Sequence, residues 1–399
     1  MRRLALALIT VVLSCGPKAT PKGAGDTVDD SPPAGKSYAE FLRSGQPERP
    51  PDTDKSDKMT MHVINIGQGT ALLFEFPCGA ILVDTGGEEN EAFDSTKVLQ
   101  SYLQDFFDRR PDLDRALSAL VITHPHIDHT RGIDAVRKIA RIDNVITNGQ
   151  EIEDLGGTPQ RNLHAWVNRF NKHSKKNPIG MAHLDATEIP ETGLTNTTID
   201  PISSCDSSGV DPQITALWGR VTGKRGYSDN PNNHSVVLRI DFGKGSIMMT
   251  GDLEFEGLDH MSRKYRNNER LLDVDVYMVG HHGSKNATAP HLMRAMSPKV
   301  AVISAGPYER NYSWTARKYG HPNIKAIDEL RDPHNGVSWF RDSRKVWVGV
   351  SGAWEERQSV FKKDVINRAI YATSWDGTIK VDVYDNGWLE VITQPPPAK

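Results

Sequence analysis

Short apolar runs and longer amphipathic stretches take turns along this chain from about residue 60 to residue 305. Val63 to Ile66, Ala71 to Phe76 and Ile81 to Val83 are apolar runs separated by glycine-containing turns, and they predict three strands. From Phe93 to Phe107 the period changes. Val98, Leu99, Tyr102, Leu103 and Phe106 recur at helical spacing and predict an amphipathic helix. Ala119 to Ile122 is again strand-like, and Gly132 to Ile142 reads as the next helix. Val236 to Phe242 and Ser246 to Thr250 predict a hairpin turning at Gly243-Lys244-Gly245. Helix over Glu254 to Tyr265, strand over Val274 to Val279, helix near His291 to Met296 and strand over Val300 to Ser304 complete the alternation. Strands alternating with helices imply sheets covered by helices, an α/β fold.

Two stretches interrupt this rhythm, at about 150–230 and 335–362, and read as insertions. The first contains Arg161 to His173, with Leu163, Trp166, Val167 and Phe170 at helical spacing. No acidic residue occurs from Pro159 to His183, while Arg161, Arg169, Lys172, Lys175 and Lys176 do. Such a helix is either a solvated face or one wall of an anionic-substrate groove. Strand-like alternation resumes between Ala369 and Val381.

The N-terminus adds a different kind of pattern. Met1-Arg2-Arg3 followed by Leu4 to Leu13 is a charged region and an apolar stretch too short to span a bilayer, so residues 1–15 read as a signal peptide. Val12-Leu13-Ser14-Cys15-Gly16 resembles a lipobox, which would leave Cys15 lipidated and the protein anchored in a bacterial envelope, periplasmic or outer-membrane. Leu13 stands where a small residue is usual, and ordinary cleavage of a secreted protein is the alternative. Residues 16–58 are rich in Pro, Gly, Lys and Asp and read as a flexible tether, leaving 59–393 as the folded body. Cys78 and Cys205 are the other cysteines; their pairing is open at this level. A net charge of −3 gives no global attraction to nucleic acid.

The chemistry is concentrated in Thr123-His124-Pro125-His126-Ile127-Asp128-His129, directly after a buried strand. Residues two apart in an extended segment point the same way, so His124 and His126 can reach one ion, and Asp128 and His129, past the bend, a second. Imidazole with carboxylate suits Zn2+ and also Mn2+ or iron. Asp252, at the end of the predicted hairpin, can bridge two ions through its two oxygens; its bland reading is a helix cap.

This His-x-His-x-Asp-His run after a strand resembles the metal motif of the metallo-β-lactamase superfamily. Met61 to Ala71, Ile81 to Gly87, Thr250-Gly251-Asp252, Gly280-His281-His282-Gly283-Ser284 and Gly320-His321-Pro322 follow the order of its ComEC-like extracytoplasmic hydrolase branch; phosphorylcholine esterases of the superfamily are similar too. The resemblance covers about residues 59–330, with a closing piece at 369–393. It implies a four-layer αββα sandwich with the site where strand ends converge. It also implies metal ligation by His124, His126, Asp128, His129, Asp252 and His281, with two ions expected. Asp128, His282 and His321 are the expected catalytic groups, His282 and His321 contacting substrate or donating a proton. Asp84 is expected to order the metal loop by hydrogen bonds. Asn65 and Thr70 stand where the branch usually has Asp, and in Asn232-Asn233-His234-Ser235 the spacing puts an asparagine at a usual histidine position. His234 swung into the site, or a weaker second metal, are the two readings of that stretch.

The resulting expectation is a metal-dependent hydrolase, a phosphodiesterase or nuclease acting on a phosphodiester such as nucleic acid. Acyl hydrolysis of the lactonase or β-lactamase kind, and a non-catalytic envelope binding protein on the same fold, are the alternatives. No Gly-x-Ser-x-Gly elbow, phosphate-binding loop or dinucleotide fingerprint competes.

Overall fold

The computed structural model describes residues 49–50, 57–153, 156–204, 206–350 and 359–394. The expected signal peptide, Cys15, nearly all of the tether and Cys205 lie outside the described residues. Cys78 is disulfide-bonded.

The first half contributes β1 (Lys58–Val63), β2 (Leu72–Phe76), β3 (Gly79–Val83), α1 (Ser95–Arg109), β4 (Ala119–Ile122), α2 (Ile127–Thr130), α3 (Ile133–Ile139), β5 (Asn144–Thr147), α4 (Thr158–His173) and β6 (Gly180–His183). The second contributes β7 (Gln213–Trp218), β8 (Val237–Phe242), β9 (Gly245–Met249), α5 (Phe255–Tyr265), β10 (Val276–Met278), α6 (Pro290–Met296), β11 (Val300–Ile303), α7 (Ala316–Tyr319) and α8 (Ile324–Leu330). It closes with β12 (Phe340–Gly349), β13 (Phe361–Arg368), β14 (Ile370–Ala372), α9 (Thr373–Asp376), β15 (Thr378–Tyr384) and β16 (Leu389–Gln394).

An eight-stranded sheet runs β6-β5-β4-β3-β2-β1-β15-β16 and a six-stranded sheet runs β7-β8-β9-β10-β11-β14. The period-two rule sorts the side chains of the first sheet. Met59, Met61, Val63, Phe74, Ile81, Val83 and Val121 enter the core shared with the second sheet. Leu73, Leu82, Leu120 and Ile122 face the opposite way, onto Leu99, Leu103 and Phe106 of α1 and Leu163 and Val167 of α4. Beyond the second sheet, Leu258 and Met261 of α5, Leu292 and Met296 of α6, and Ile327 and Leu330 of α8 join its core. Helix, sheet, sheet, helix is the expected αββα order.

Where sequence and structure differ, local capping decides. The first strand ends at Val63, because the chain then turns through Gly67 and Gly69, both at positive φ. α1 starts at Ser95 because the Asp94 carboxylate accepts a hydrogen bond from the Lys97 amide at 3.1 Å. Within the stretch at 335–362, β12 pairs antiparallel with β13 outside both large sheets.

The sheets are tied together where their strands end on one side. Val236 N donates to Thr123 O at 2.9 Å, and Ser304 Oγ to Gly69 O at 2.7 Å. The segments leaving β4, β9, β10 and β11 therefore meet at one edge.

Candidate metal centre

The segment after β4 is fixed from beneath by a buried carboxylate. Asp84 has no solvent exposure and accepts from Thr123 N at 2.8 Å and Thr123 Oγ1 at 2.7 Å. It also accepts from His129 Nδ1 at 2.8 Å, which leaves His129 Nε2 facing Asp252. Asp84 thus orients the loop and is not itself part of the cluster of ligating atoms. Backbone packing sets the loop's height. A Cβ on Gly86 would stand 2.0 Å from the Asp128 carbonyl carbon, and one on Gly69 would stand 2.5 Å from the Asp128 oxygen. Thr70 N donates to that same oxygen at 3.1 Å.

Asp252 Oδ2 is the hub. It lies 3.2 Å from His129 Nε2, 3.4 Å from His282 Nε2, 3.8 Å from His281 Nε2 and 3.9 Å from His124 Nε2. His282 Nε2 is 3.4 Å from Asp128 Oδ2, and His124 Nε2 is 3.0 Å from His126 Nδ1. Asp128, His129, Asp252 and His282 each offer a ligand atom within 4.8 Å of the others. Two nitrogens bound to one tetrahedral ion at about 2.0–2.1 Å stand roughly 3.3 Å apart, which these gaps match. His129 Nε2 and His282 Nε2 are buried without a hydrogen-bond partner, as ligand atoms awaiting a cation would be. The residues therefore fit a divalent metal. When bound, it supplies Lewis acidity and lowers the pKa of water toward about 7.

The charges follow from this crowding. Burial raises the Asp252 and Asp128 carboxyls, but neighbouring imidazoles outweigh it and hold both well below the usual carboxylate range. Burial lowers His129 and His282, yet Asp252 and its companion carboxylates push His129 well up and His282 up to about 9. Without metal, the cluster therefore carries protons where the cation belongs.

The two adjacent histidines reach the cluster from different sides. His281 and His282 both have left-handed backbone, at φ 49° and 55°. His282 Nδ1 donates to Ser304 O at 3.0 Å, so its Nε2 points at Asp128 and Asp252. His281 turns toward Glu254, its Nδ1 3.6 Å from Glu254 Oε1. His282 thus joins the cluster, where it was expected only to contact substrate or donate a proton, while His281 keeps its Nε2 3.8 Å from Asp252 Oδ2 and lines the adjoining cavity.

His234 is a second correction. Its Nδ1 accepts from Val221 N at 3.0 Å and its Nε2 donates to Ser228 O at 2.8 Å, so neither nitrogen is available to a metal. The 3-10 turn Pro231–His234, capped by Asn230, sends Asn232 to the cavity instead. Asn232 Nδ2 donates to Glu254 Oε1 at 2.8 Å. For α4 the solvated-face reading stands: none of its basic residues lines the cavity, and Arg161 pairs with Glu153.

The cavity, about 610 Å³, opens over the cluster. His321 forms one wall. Its Nδ1 accepts from Gln68 Nε2 at 3.2 Å, which places its proton on Nε2. Burial, reinforced by His281 and His282, holds His321 well below the ordinary histidine value, so the ring is neutral. Tyr319 stacks on it at 5.6 Å. Gln68, Glu254 and Tyr319 had no sequence signal of their own beyond lying beside glycine-rich motifs.

The metallo-β-lactamase superfamily model matches residues 64–306, and the chain belongs to that superfamily of metal-dependent hydrolases. Uncharacterized protein YcaI of Escherichia coli K12 is 22% identical over 294 residues, covering 73% of this chain and 31% of that protein. ComE operon protein 3 of Bacillus subtilis 168 is 36% identical over 123 residues, covering 29% of this chain and 14% of that protein. The chain thus spans less than a third of the length of these relatives. Among solved structures, the metallo-β-lactamase fold protein YhfI of Bacillus subtilis aligns over 77% of this chain and 100% of its own, at 13% identity and a TM-score of 0.38.

Proposed function

We propose that this protein is a phosphodiesterase acting on nucleic acid or a related phosphodiester, with Zn2+ or Mn2+ at two adjoining positions. The observation that carries this reading is Asp252 Oδ2, within 3.9 Å of both the His124–His126 group and the Asp128–His129–His282 group. A carboxylate shared by two ligand groups would hold two ions side by side, and such a pair would supply charge stabilisation to the attacking and leaving oxygens of an in-line displacement at phosphorus. The neutral His321, with its proton on Nε2, supports the reading as a hydrogen-bond donor to a phosphoryl or leaving oxygen. Asn232 brings an amide to the cavity wall beside Glu254 and His281.

The test is a substrate panel of bis(p-nitrophenyl) phosphate, single-stranded DNA and nitrocefin, each with zinc or manganese. Turnover of the two phosphodiesters with nitrocefin inert is the expected result. Nitrocefin hydrolysis alone would install the acyl-hydrolase reading, and metal-indifferent inertness the binding-protein reading.

We further propose export and anchoring through lipidated Cys15. The disulfide at Cys78 supports an oxidising compartment. Radiolabelled palmitate incorporated by the native chain and lost in Cys15→Ser is the expected outcome.

A further inference from the structure

We propose that Trp314 is a stacking platform for a nucleobase of the substrate, an inference that rests on the phosphodiesterase reading and narrows its substrate class. Trp314 is the most exposed large apolar side chain among the described residues, at 68%, yet it lines the cavity above the metal cluster. An isolated exposed tryptophan gains nothing from burial, so packing does not explain it. Its backbone does not either. Trp314 sits at φ 60°, a conformation that a bulky side chain adopts only at a cost and that glycine or asparagine would occupy more easily. Strain held at the mouth of an active cavity, on a ring turned toward solvent, points to a ligand.

Aromatic contacts lead from this ring to the reacting region. Trp314 and Tyr319 have centroids 6.3 Å apart, Tyr319 and His321 5.6 Å, and His321 and His282 6.2 Å. Three steps thus connect a solvent-facing π-surface to a histidine of the ligand cluster. A phosphodiester whose phosphorus lies at the cluster would carry its outward substituent toward the Trp314 face. Among the described residues, Tyr319 is the only other tyrosine, tryptophan or phenylalanine in the cavity wall. A quaternary ammonium group is recognised by a cage of several aromatic faces, which two rings tilted 48° to each other do not make. A single open face suits a flat base, and base–aromatic stacking tolerates any base.

The experiment uses the full chain with manganese and three esters sharing one leaving group: thymidine 5′-(p-nitrophenyl) phosphate, ethyl p-nitrophenyl phosphate and p-nitrophenylphosphorylcholine. Trp314→Asn removes the ring and suits the backbone, so its melting temperature should equal or exceed that of the native chain. The native preference in kcat/KM for the thymidine ester over the ethyl ester should fall about tenfold in Trp314→Asn, mainly through KM, and Trp314→Phe should recover part of it. Affinity for thymidine 5′-monophosphate, measured by calorimetry, should fall about tenfold in parallel. An equal change with all three esters, a change confined to the choline ester, or no change overturns the proposal. If the native chain hydrolyses none of the esters, the phosphodiesterase reading fails by itself. The nucleotide affinities then decide on Trp314: a loss in Trp314→Asn upholds stacking, while equal affinities or no native binding reject it.

Discussion

Two sets of ligand side chains meet at Asp252, and they are built to different standards. In the first, Asp128, His129 and His282, each imidazole is held from behind: His129 by Asp84 at 2.8 Å, His282 by the Ser304 carbonyl at 3.0 Å. In the second, His124 has Thr123 Oγ1 3.2 Å from its Nδ1, but His126 Nε2 has no partner. His234 is bound to backbone elsewhere and brings no imidazole to this set, while Asn232 lines the cavity and bonds Glu254. Ligands whose orientation is fixed in advance bind metal more tightly, so on the proposed two-ion reading the Asp128 side should fill first.

The harshest way to break this comparison is to remove the residue both sides share. Asp252→Asn should cost at least about 1,000-fold in kcat and reduce bound metal on both sides, measured by elemental analysis beside steady-state rates. A variant that keeps its full metal would show the two sites to be independent of Asp252. A sharper probe sets His282→Ala against His124→Ala. The first should abolish the tighter binding event in a calorimetric titration, and the second should leave it in place while the weaker event disappears. Asp84→Asn acts one layer further out. Loss of the carboxylate behind His129 should weaken the tighter event by about 10- to 100-fold and leave the weaker one nearly unchanged.

Proton release offers a gentler test of the same asymmetry. In the metal-free protein His282 is raised to about 9, so below that pH it carries a proton that the cation must displace. Zinc binding at about pH 7.5 should therefore release protons, seen as a dependence of binding enthalpy on the buffer's ionisation enthalpy. The tighter affinity should fall as pH drops from about 9 toward 6. A pH-independent affinity over that range would contradict the charge assignment. The smallest effect is expected at the residue that turned away: His234→Ala should leave metal content intact and cost about 1 kcal/mol of stability through its two lost hydrogen bonds.

What was legible in the sequence is what is local in it. The run from His124 to His129 displays its ligands because one strand end and one turn present them all. Asp252 shows itself as a carboxylate following a strand. The alternation of strands and amphipathic stretches showed sheets covered by helices for the same reason, since α1 and β1 to β4 each bury the residues their own periods mark, while the four-layer order came from the family resemblance. The placements that the sequence left open depend on contacts beyond the local run. Which of His281 and His282 faces the cluster is decided by two left-handed residues and a carbonyl 22 positions beyond His282. His234 is drawn off by Val221 and Ser228, inside a stretch where periodicity is weak. Trp314 could not be told from a core tryptophan, because exposure is a property of the whole fold.

The space beneath Asp128 has a further consequence. Position 86 contributes no atom to any ligand, yet the 2.0 Å approach of the neighbouring backbone leaves room there for a hydrogen and nothing larger. A methyl group at that spot would lift the whole ligand-bearing turn away from Asp252. The centre is thus defined as much by a void in the polypeptide as by its imidazoles, and damage at a chemically silent residue should be as disabling as the loss of a histidine.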